Sequence, residues 1–220
     1  MPDQSYKILQ CEEQGCRFRF PMLEDALNNI DCPRCGKPST VVVATFSNQP
    51  PRKVSNDKDK HQICGLLDNV RSAYNVGSMI RTASAAGFAH LYLCGITPTP
   101  EHLKVAKTAL GAEDCVSWSH HNNSIDIAAK LHATGHQLIA IEGGSQSQWL
   151  SEFSATGQAM RVTMIVGNEL SGVDPALLEL CDQVLALPML GNKTSLNVTV
   201  AFGIAAYYLQ YLPLLNTSLP

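Results

Sequence analysis

Three short stretches of the chain place polar and small residues where they could seat and act on a ligand. In "NVRSAYNVGSMIRTASAAG", Asn75 is placed to cap a helix whose core face is Val76, Met79, Ile80, Ala83 and Gly87, and Arg81 falls off that face. A guanidinium near a helix start, beside free backbone N–H groups, suits a phosphate; the plainer reading is a solvated arginine. In "MIVGNELSGVD", Gly167 lets the backbone approach a ligand closely. Glu169 follows the apolar run directly, where its carboxylate could order neighbouring donors, unless it is only a solvated turn residue. In "LPMLGNKTSLNV", the run from Gly191 to Ser195 offers main-chain and side-chain hydrogen bonds. It lies ahead of a nearly apolar helix that Ser195 would cap, with Asn197 in the first turn and in need of a partner if buried.

A second chemistry lies in the cysteines. Cys11-x4-Cys16 and Cys32-x2-Cys35, separated by fifteen residues, form two thiolate pairs that can close a tetrahedron around Zn²⁺, and Gly36 lets the backbone fold back toward the sulfurs. Four thiolates leave no open coordination position, so such a zinc would be structural and would supply the module's folding free energy. The alternative is four unrelated reduced thiols. The other four cysteines, Cys64, Cys94, Cys115 and Cys181, are scattered singly and read as small core residues.

The elements that must position these groups are legible in the spacing. Residues 46–60, with a proline pair and alternating charges, have linker composition and separate the cysteine module, 1–45, from the remainder, 61–220. There, the apolar runs "QICGLLD", "HLYLCGI", "QLIAIEG", "VTMIVGN" and "QVLALPM" alternate with helical stretches at Asn75–Ala86, Glu101–Leu110, Ser124–Ala133 and Pro175–Cys181. That alternation predicts an α/β domain, a parallel sheet with helices on both faces, in which ligands gather at the carboxyl ends of strands.

Composition sets bounds. The 220 residues are 45% hydrophobic and 16% charged, which is ordinary for a globular chain with one sizeable core and an appendage. The first residues lack a signal peptide's basic and apolar regions, and 196–215 is interrupted by Asn197, Thr199, Gln210 and Pro213. The expectation is therefore a cytoplasmic protein with no membrane segment. Net charge is −3 overall, but residues 61–220 hold seven Lys/Arg against eleven Asp/Glu, which argues against a broad nucleic-acid-binding face while leaving room for a local phosphate site. Nucleotide fingerprints fail on spacing: there is no G-x-G-x-x-G after the first strand, and "GNKT" is not a P-loop. No G-x-S-x-G elbow is present. The seven histidines form no metal-spaced cluster.

Taken in order, "NVGSMIRTASAAG", "IVGNELSGV" and "LPMLGNKTSLNVTVA" resemble the three motifs of the SpoU/TrmH-type RNA ribose methyltransferases of the SPOUT class. The resemblance covers roughly Cys64 to Leu212. Leu187 stands where isoleucine is common, Thr199 where serine is common, and the N-terminal module, which resembles a zinc ribbon, differs from the extensions such enzymes often carry.

The resemblance implies S-adenosylmethionine-dependent methylation of a ribose 2′-hydroxyl in tRNA or rRNA, by a homodimer with a C-terminal trefoil knot. It further implies an active-site set of Asn75, Arg81, Glu169, Ser195 and Asn197. Glu142, Gly167, Leu187 and Leu196 would then stand around the cofactor. Arg81 as a literal base conflicts with the chemistry of a guanidinium, a donor with no acceptor, so an electrostatic role on an RNA phosphate and the developing oxyanion is expected instead. The cysteine module and the linker are the candidates for RNA docking. Two other functions fit the same letters: a zinc-ribbon RNA-binding protein with an inactive methyltransferase-like domain, and a small-molecule methyltransferase.

Overall fold

In the computed structural model the described residues are 5–27, 30–44, 61–144, 147–153 and 160–216. The chain divides into two compact units, 1–56 and 57–220. The expected linker, 46–60, lies outside the described residues.

In the first unit, β1 (Tyr6–Cys11) is central in an antiparallel sheet with β2 (Arg19–Leu23) and β3 (Ser39–Ala44), in the order β2-β1-β3. Leu9 faces Phe20 on one side and Val41 on the other, with a register shift between Ile8 and Leu9. Little of this unit is buried. Leu9, Cys11 and Cys32 are, whereas Val41, Val42 and Val43 are each more than 40% exposed.

The second unit carries a seven-stranded sheet in the order β6-β5-β4-β9-β7-β10-β8, every pair parallel. Its strands are β4 (His61–Asp68), β5 (His90–Cys94), β6 (Ser117–His121), β7 (Gln137–Ile141), β8 (Gln148–Trp149), β9 (Met160–Val166) and β10 (Gln183–Ala186). Its helices are α1 (Ala73–Ala86), α2 (Leu103–Ala109), α3 (Ser124–Ala133), α4 (Pro175–Leu178) and α5 (Val198–Asn216). Alternation along each strand builds two cores. Ile63, Leu67, Leu91, Leu93, Met164 and Leu185 face α1, α2 and α5, while Leu66, Leu138, Ala140 and Ile165 face α3 and α4. Helices thus cover both faces, the doubly covered parallel sheet that near-continuous apolar strands require. On the first face Phe202 of α5 is fully buried, its ring 5.6 Å from that of Phe88. No described helix is long and apolar enough to cross a membrane.

Two helix starts differ from the sequence expectation. Asn75 does not cap α1: Ser72 does, its hydroxyl accepting from the Asn75 amide, which places Asn75 inside the first turn. Ser195 does not cap α5. The helix begins at Val198 and Asn197 is its cap, with its Oδ1 accepting from Thr199 N at 2.8 Å. Asparagine and serine cap about equally well, so propensity could not choose between them; tertiary bonds did. The helices at 101–110 and 175–181 are also shorter than expected, Leu103–Ala109 and Pro175–Leu178.

Candidate active site and thiol cluster

The loops leaving β7, β9 and β10 meet at the carboxyl edge of the sheet, around a cavity of about 480 Å³, an ordinary size for a small-molecule site. Seven of the nine site residues expected from the sequence line it: Glu142 after β7, Gly167 and Glu169 after β9, and Leu187, Ser195, Leu196 and Asn197 between β10 and α5. Asn75 joins them through hydrogen bonds. Arg81 does not line the cavity.

Glu169 organises one wall. Its Oε2 accepts from the Arg71 amide at 2.9 Å, and its Oε1 from the Ser72 amide at 3.0 Å and from Asn75 Nδ2 at 2.8 Å. Asn75 Oδ1 in turn accepts from Asn197 Nδ2 at 3.4 Å. One line of hydrogen bonds, Glu169–Asn75–Asn197, therefore joins residues from all three polar stretches. Burial alone would raise the Glu169 pKa, but the amides of Arg71 and Ser72 and the Asn75 side chain outweigh it and hold the carboxyl below its ordinary value.

This arrangement corrects the expectation of free amides beside Arg81. The N–H groups of Arg71 and Ser72, just ahead of α1, are satisfied by a carboxylate from within the chain, the kind of partner a helix N-terminus attracts. Arg81 is the ninth residue of α1, away from its start; it is exposed, and its guanidinium bonds to no other described residue.

Glu142 also braces backbone, accepting from Val173 N at 3.0 Å and Gly143 N at 3.2 Å. Gly167 has a reason to be bare that spacing could not show: a Cβ there would stand 2.3 Å from the backbone of Gly172 and Val173. Ser195 lines the cavity, and its hydroxyl bonds to no described residue. Ile141, Leu187, Met189, Leu196, Val198 and Ala201 give the cavity apolar surface. Its charged lining is Glu142 and Glu169, with no Lys, Arg or His among the described lining residues.

Sequence reasoning passed over the residues beneath this wall. Asp68, 1% exposed at the end of β4, accepts from Asn69 Nδ2 at 2.8 Å and from Asp174 N at 3.0 Å. Asn168 Nδ2 donates to Asn69 O at 2.7 Å, and Thr97 Oγ1 accepts from Val70 N at 3.0 Å. The signal was available: an acid ending an apolar strand needs partners if it is buried.

In the first unit, the sulfurs of Cys11, Cys16, Cys32 and Cys35 all lie within 4.8 Å of one another. The separations Cys11–Cys35 and Cys16–Cys32 are 3.5 and 3.8 Å. Four sulfurs about 2.3 Å from one ion stand about 3.8 Å apart on a regular tetrahedron, so the set fits a tetrahedral cation. The thiols do not shift alike: burial pushes Cys11 up to about 12 and Cys35 also lies above its ordinary value, whereas at Cys32 the amides of Arg34 and Cys35 outweigh burial and bring the pKa to about 7.

Residues 63–207 match the model of the SpoU rRNA Methylase family. The chain belongs to that family. It is 29% identical, over 70% of its length, to the tRNA (guanosine(18)-2′-O)-methyltransferase of Aquifex aeolicus. It is 35% identical, over 66% of its length, to the 23S rRNA (guanosine(2553)-2′-O)-methyltransferase of Bacillus subtilis. It spans 71% of the first relative and 56% of the second. Among solved structures, it resembles an AdoMet-bound rRNA methyltransferase from Sinorhizobium meliloti with a TM-score of 0.64 and 26% identity, covering 69% of this chain and 56% of that one. The TrmH/SpoU tRNA-modifying enzyme of A. aeolicus matches with a TM-score of 0.62 and 28% identity, over 72% of this chain and 79% of that one. The SpoU match covers the α/β unit and leaves the thiol cluster outside it.

Proposed function

We propose that this chain transfers the methyl group of S-adenosylmethionine to a ribose 2′-hydroxyl of tRNA or rRNA, as a homodimer. The observation that carries the reading is the Glu169–Asn75–Asn197 line of hydrogen bonds at a cavity whose charged lining is anionic. S-adenosylmethionine supplies, when bound, a methyl group on a sulfonium, a cation that two carboxylates suit. Glu142, Gly167, Leu187 and Leu196 would hold it among the apolar side chains. The partnerless Ser195 hydroxyl and Asn197 orient the sugar. Arg81 would bind an RNA phosphate through its guanidinium fork and stabilise charge developing on the 2′-oxygen, whose proton would leave to a phosphate oxygen or water. Little covalent help is required, and alignment with water excluded can contribute up to about 7–11 kcal/mol.

A dimer is supported by the apolar stripe Val200, Ile204, Tyr207 and Tyr211 on α5, each at least 37% exposed and spaced along one helical face. Thr82 of α1 lies opposite Gly203 of α5, so a second copy on that stripe would stand close to Arg81. The C-terminal trefoil knot belongs to the same proposal, supported by β10 pairing between β7 and β8 before α5 packs on α1. Structural Zn²⁺ on Cys11, Cys16, Cys32 and Cys35 is supported by the sulfur spacing. The division into 1–45, 46–60 and 61–220, with the first two docking RNA, is part of the reading. A cytoplasmic location is supported by eight cysteines without a disulfide.

Incubation with labelled S-adenosylmethionine and either bulk RNA or metabolite extract tests the function. Label in alkali-stable dinucleotides of tRNA or rRNA is expected. Label in a small molecule would make the chain a metabolite methyltransferase, and none in either would leave an inactive RNA-binding protein. Arg81→Lys keeps the charge but loses the fork, and should lower turnover by about 10²–10³-fold.

A further inference from the structure

Tyr74 is the second residue of α1 and 56% exposed. Its neighbour Asn75 is bonded to both Glu169 and Asn197, so the ring is carried on backbone fixed to the site wall. Lys104 of α2 holds its ammonium 5.8 Å from the centre of the Tyr74 ring. The two helices that carry this pair cannot drift apart without losing close packing: a Cβ on Gly77 would stand 2.5 Å from Val105 O. One turn ahead of Tyr74, Arg71 is exposed and its guanidinium bonds to no described residue, while its amide is held by Glu169. On the segment leading to Lys104, Ile96 and Leu103 are 64% and 86% exposed. The carboxylate between Ile96 and Lys104, Glu101, accepts a hydrogen bond from Thr99 Oγ1, and that of Glu169 is held by the Arg71 and Ser72 amides.

The combination is specific in its chemistry. An aromatic ring flanked by cations suits a nucleotide, whose base stacks while its phosphate is neutralised. The surrounding unit is acidic, with seven Lys/Arg against eleven Asp/Glu in residues 61–220, so Arg71 and Lys104 are a local exception. The described residues of the cavity lining offer a polyanion no cation. Resting on the proposed RNA methylation, we infer that Tyr74, Arg71 and Lys104 form a docking platform for an unstacked RNA nucleotide next to the one whose ribose is methylated. Tyr74 stacks on its base, with Lys104 over the ring, and Arg71 binds a phosphate. The platform lies outside the cofactor cavity and acts on RNA alone.

The test measures RNA binding separately from methyl transfer, using bulk tRNA, bulk rRNA and a fluorescently labelled single-stranded oligoribonucleotide with the full chain. Tyr74→Ala should weaken affinity about tenfold and Tyr74→Phe should restore it, because stacking needs the ring and not the hydroxyl. Arg71→Ala should lower the slope of log affinity against log salt by about 0.7, the contribution of one phosphate on a single strand. The affinity for S-adenosylmethionine should stay unchanged in all three. Equal RNA affinity in Tyr74→Ala and the wild type would overturn the platform even if RNA is methylated. RNA binding that depends on Tyr74, with no methyl transfer by the wild type, would overturn the proposed reaction and leave the platform standing. Loss in Tyr74→Phe as large as in Tyr74→Ala would also overturn it, since stacking predicts rescue.

Discussion

The two units of this chain are held together by different means. In the α/β unit, two apolar cores lie on either side of a parallel sheet, and residues such as Leu66, Leu67 and Phe202 are fully buried. Among the described residues of the N-terminal unit, Leu9 and two cysteines are buried, and the three valines of β3 stand exposed. So small an apolar core cannot balance the conformational entropy of ordering its sheet. The four sulfurs occupy the place that a core holds elsewhere. The difference teaches that ion coordination and hydrophobic burial are alternative ways of fixing a backbone, and that each should fail under its own insult.

The sharpest break is metal removal. On the proposed zinc site, chelation or Cys32→Ser should unfold the β2-β1-β3 sheet, because a structural zinc contributes about 10–16 kcal/mol to domains of this type. Amide dispersion in that unit should collapse while the melting transition of the α/β unit stays in place. A common transition for both would show that the units are not independent. Next in size, Phe202→Ala should cost the α/β unit about 3–5 kcal/mol by denaturant titration and leave zinc affinity unaltered.

Glu169→Gln is a smaller and pH-dependent break. It replaces a charged acceptor of two amides and should cost about 1.5–3 kcal/mol near neutrality. Because the folded-state pKa of Glu169 lies below its unfolded value, its contribution is present above the unfolded pKa, about 4.3. It is lost as pH falls through the folded pKa. In the variant, the difference from wild type should therefore shrink on acidification; a constant difference would show that the charge is immaterial. The smallest effect is expected on the exposed strand, where Val42→Thr should change stability by no more than about 0.5 kcal/mol. A large loss there would mean that burial contributes more to the first unit than its exposed surface indicates.

Much of the site was readable from the sequence because its residues sit where strand, loop and helix patterns change. Val76, Met79, Ile80 and Ala83 announced the buried face of α1 and are fully buried, whereas Gly87, expected on the same face, is the exposed left-handed C-cap beyond the helix. The polar runs after β9 and β10 pointed to the loops that now enclose the cavity. What stayed hidden depended on partners distant in the chain. The choice of Ser72 and Asn197 as caps is coupled to bonds that Asn75 makes across 94 and 122 residues, which no local preference records. Strand β6, "SWSHH", shows no apolar run because it is an edge strand paired only with β5. Strand β8 is two residues long, too short for any periodicity. The bareness of Gly167 reports contact with Gly172 and Val173, information that a lone glycine in a sequence does not carry. Arg81 was placed correctly off the core face, but its distance from the cavity is a property of the whole fold.

The carboxylate that Glu169 lodges against the amides leading into α1 has a consequence for ligand selection. A helix entrance of that kind would otherwise welcome inorganic phosphate and the phosphate tails of abundant nucleotides. With its donors already committed internally, that helix entrance offers phosphate-bearing compounds no free amide at Arg71 or Ser72.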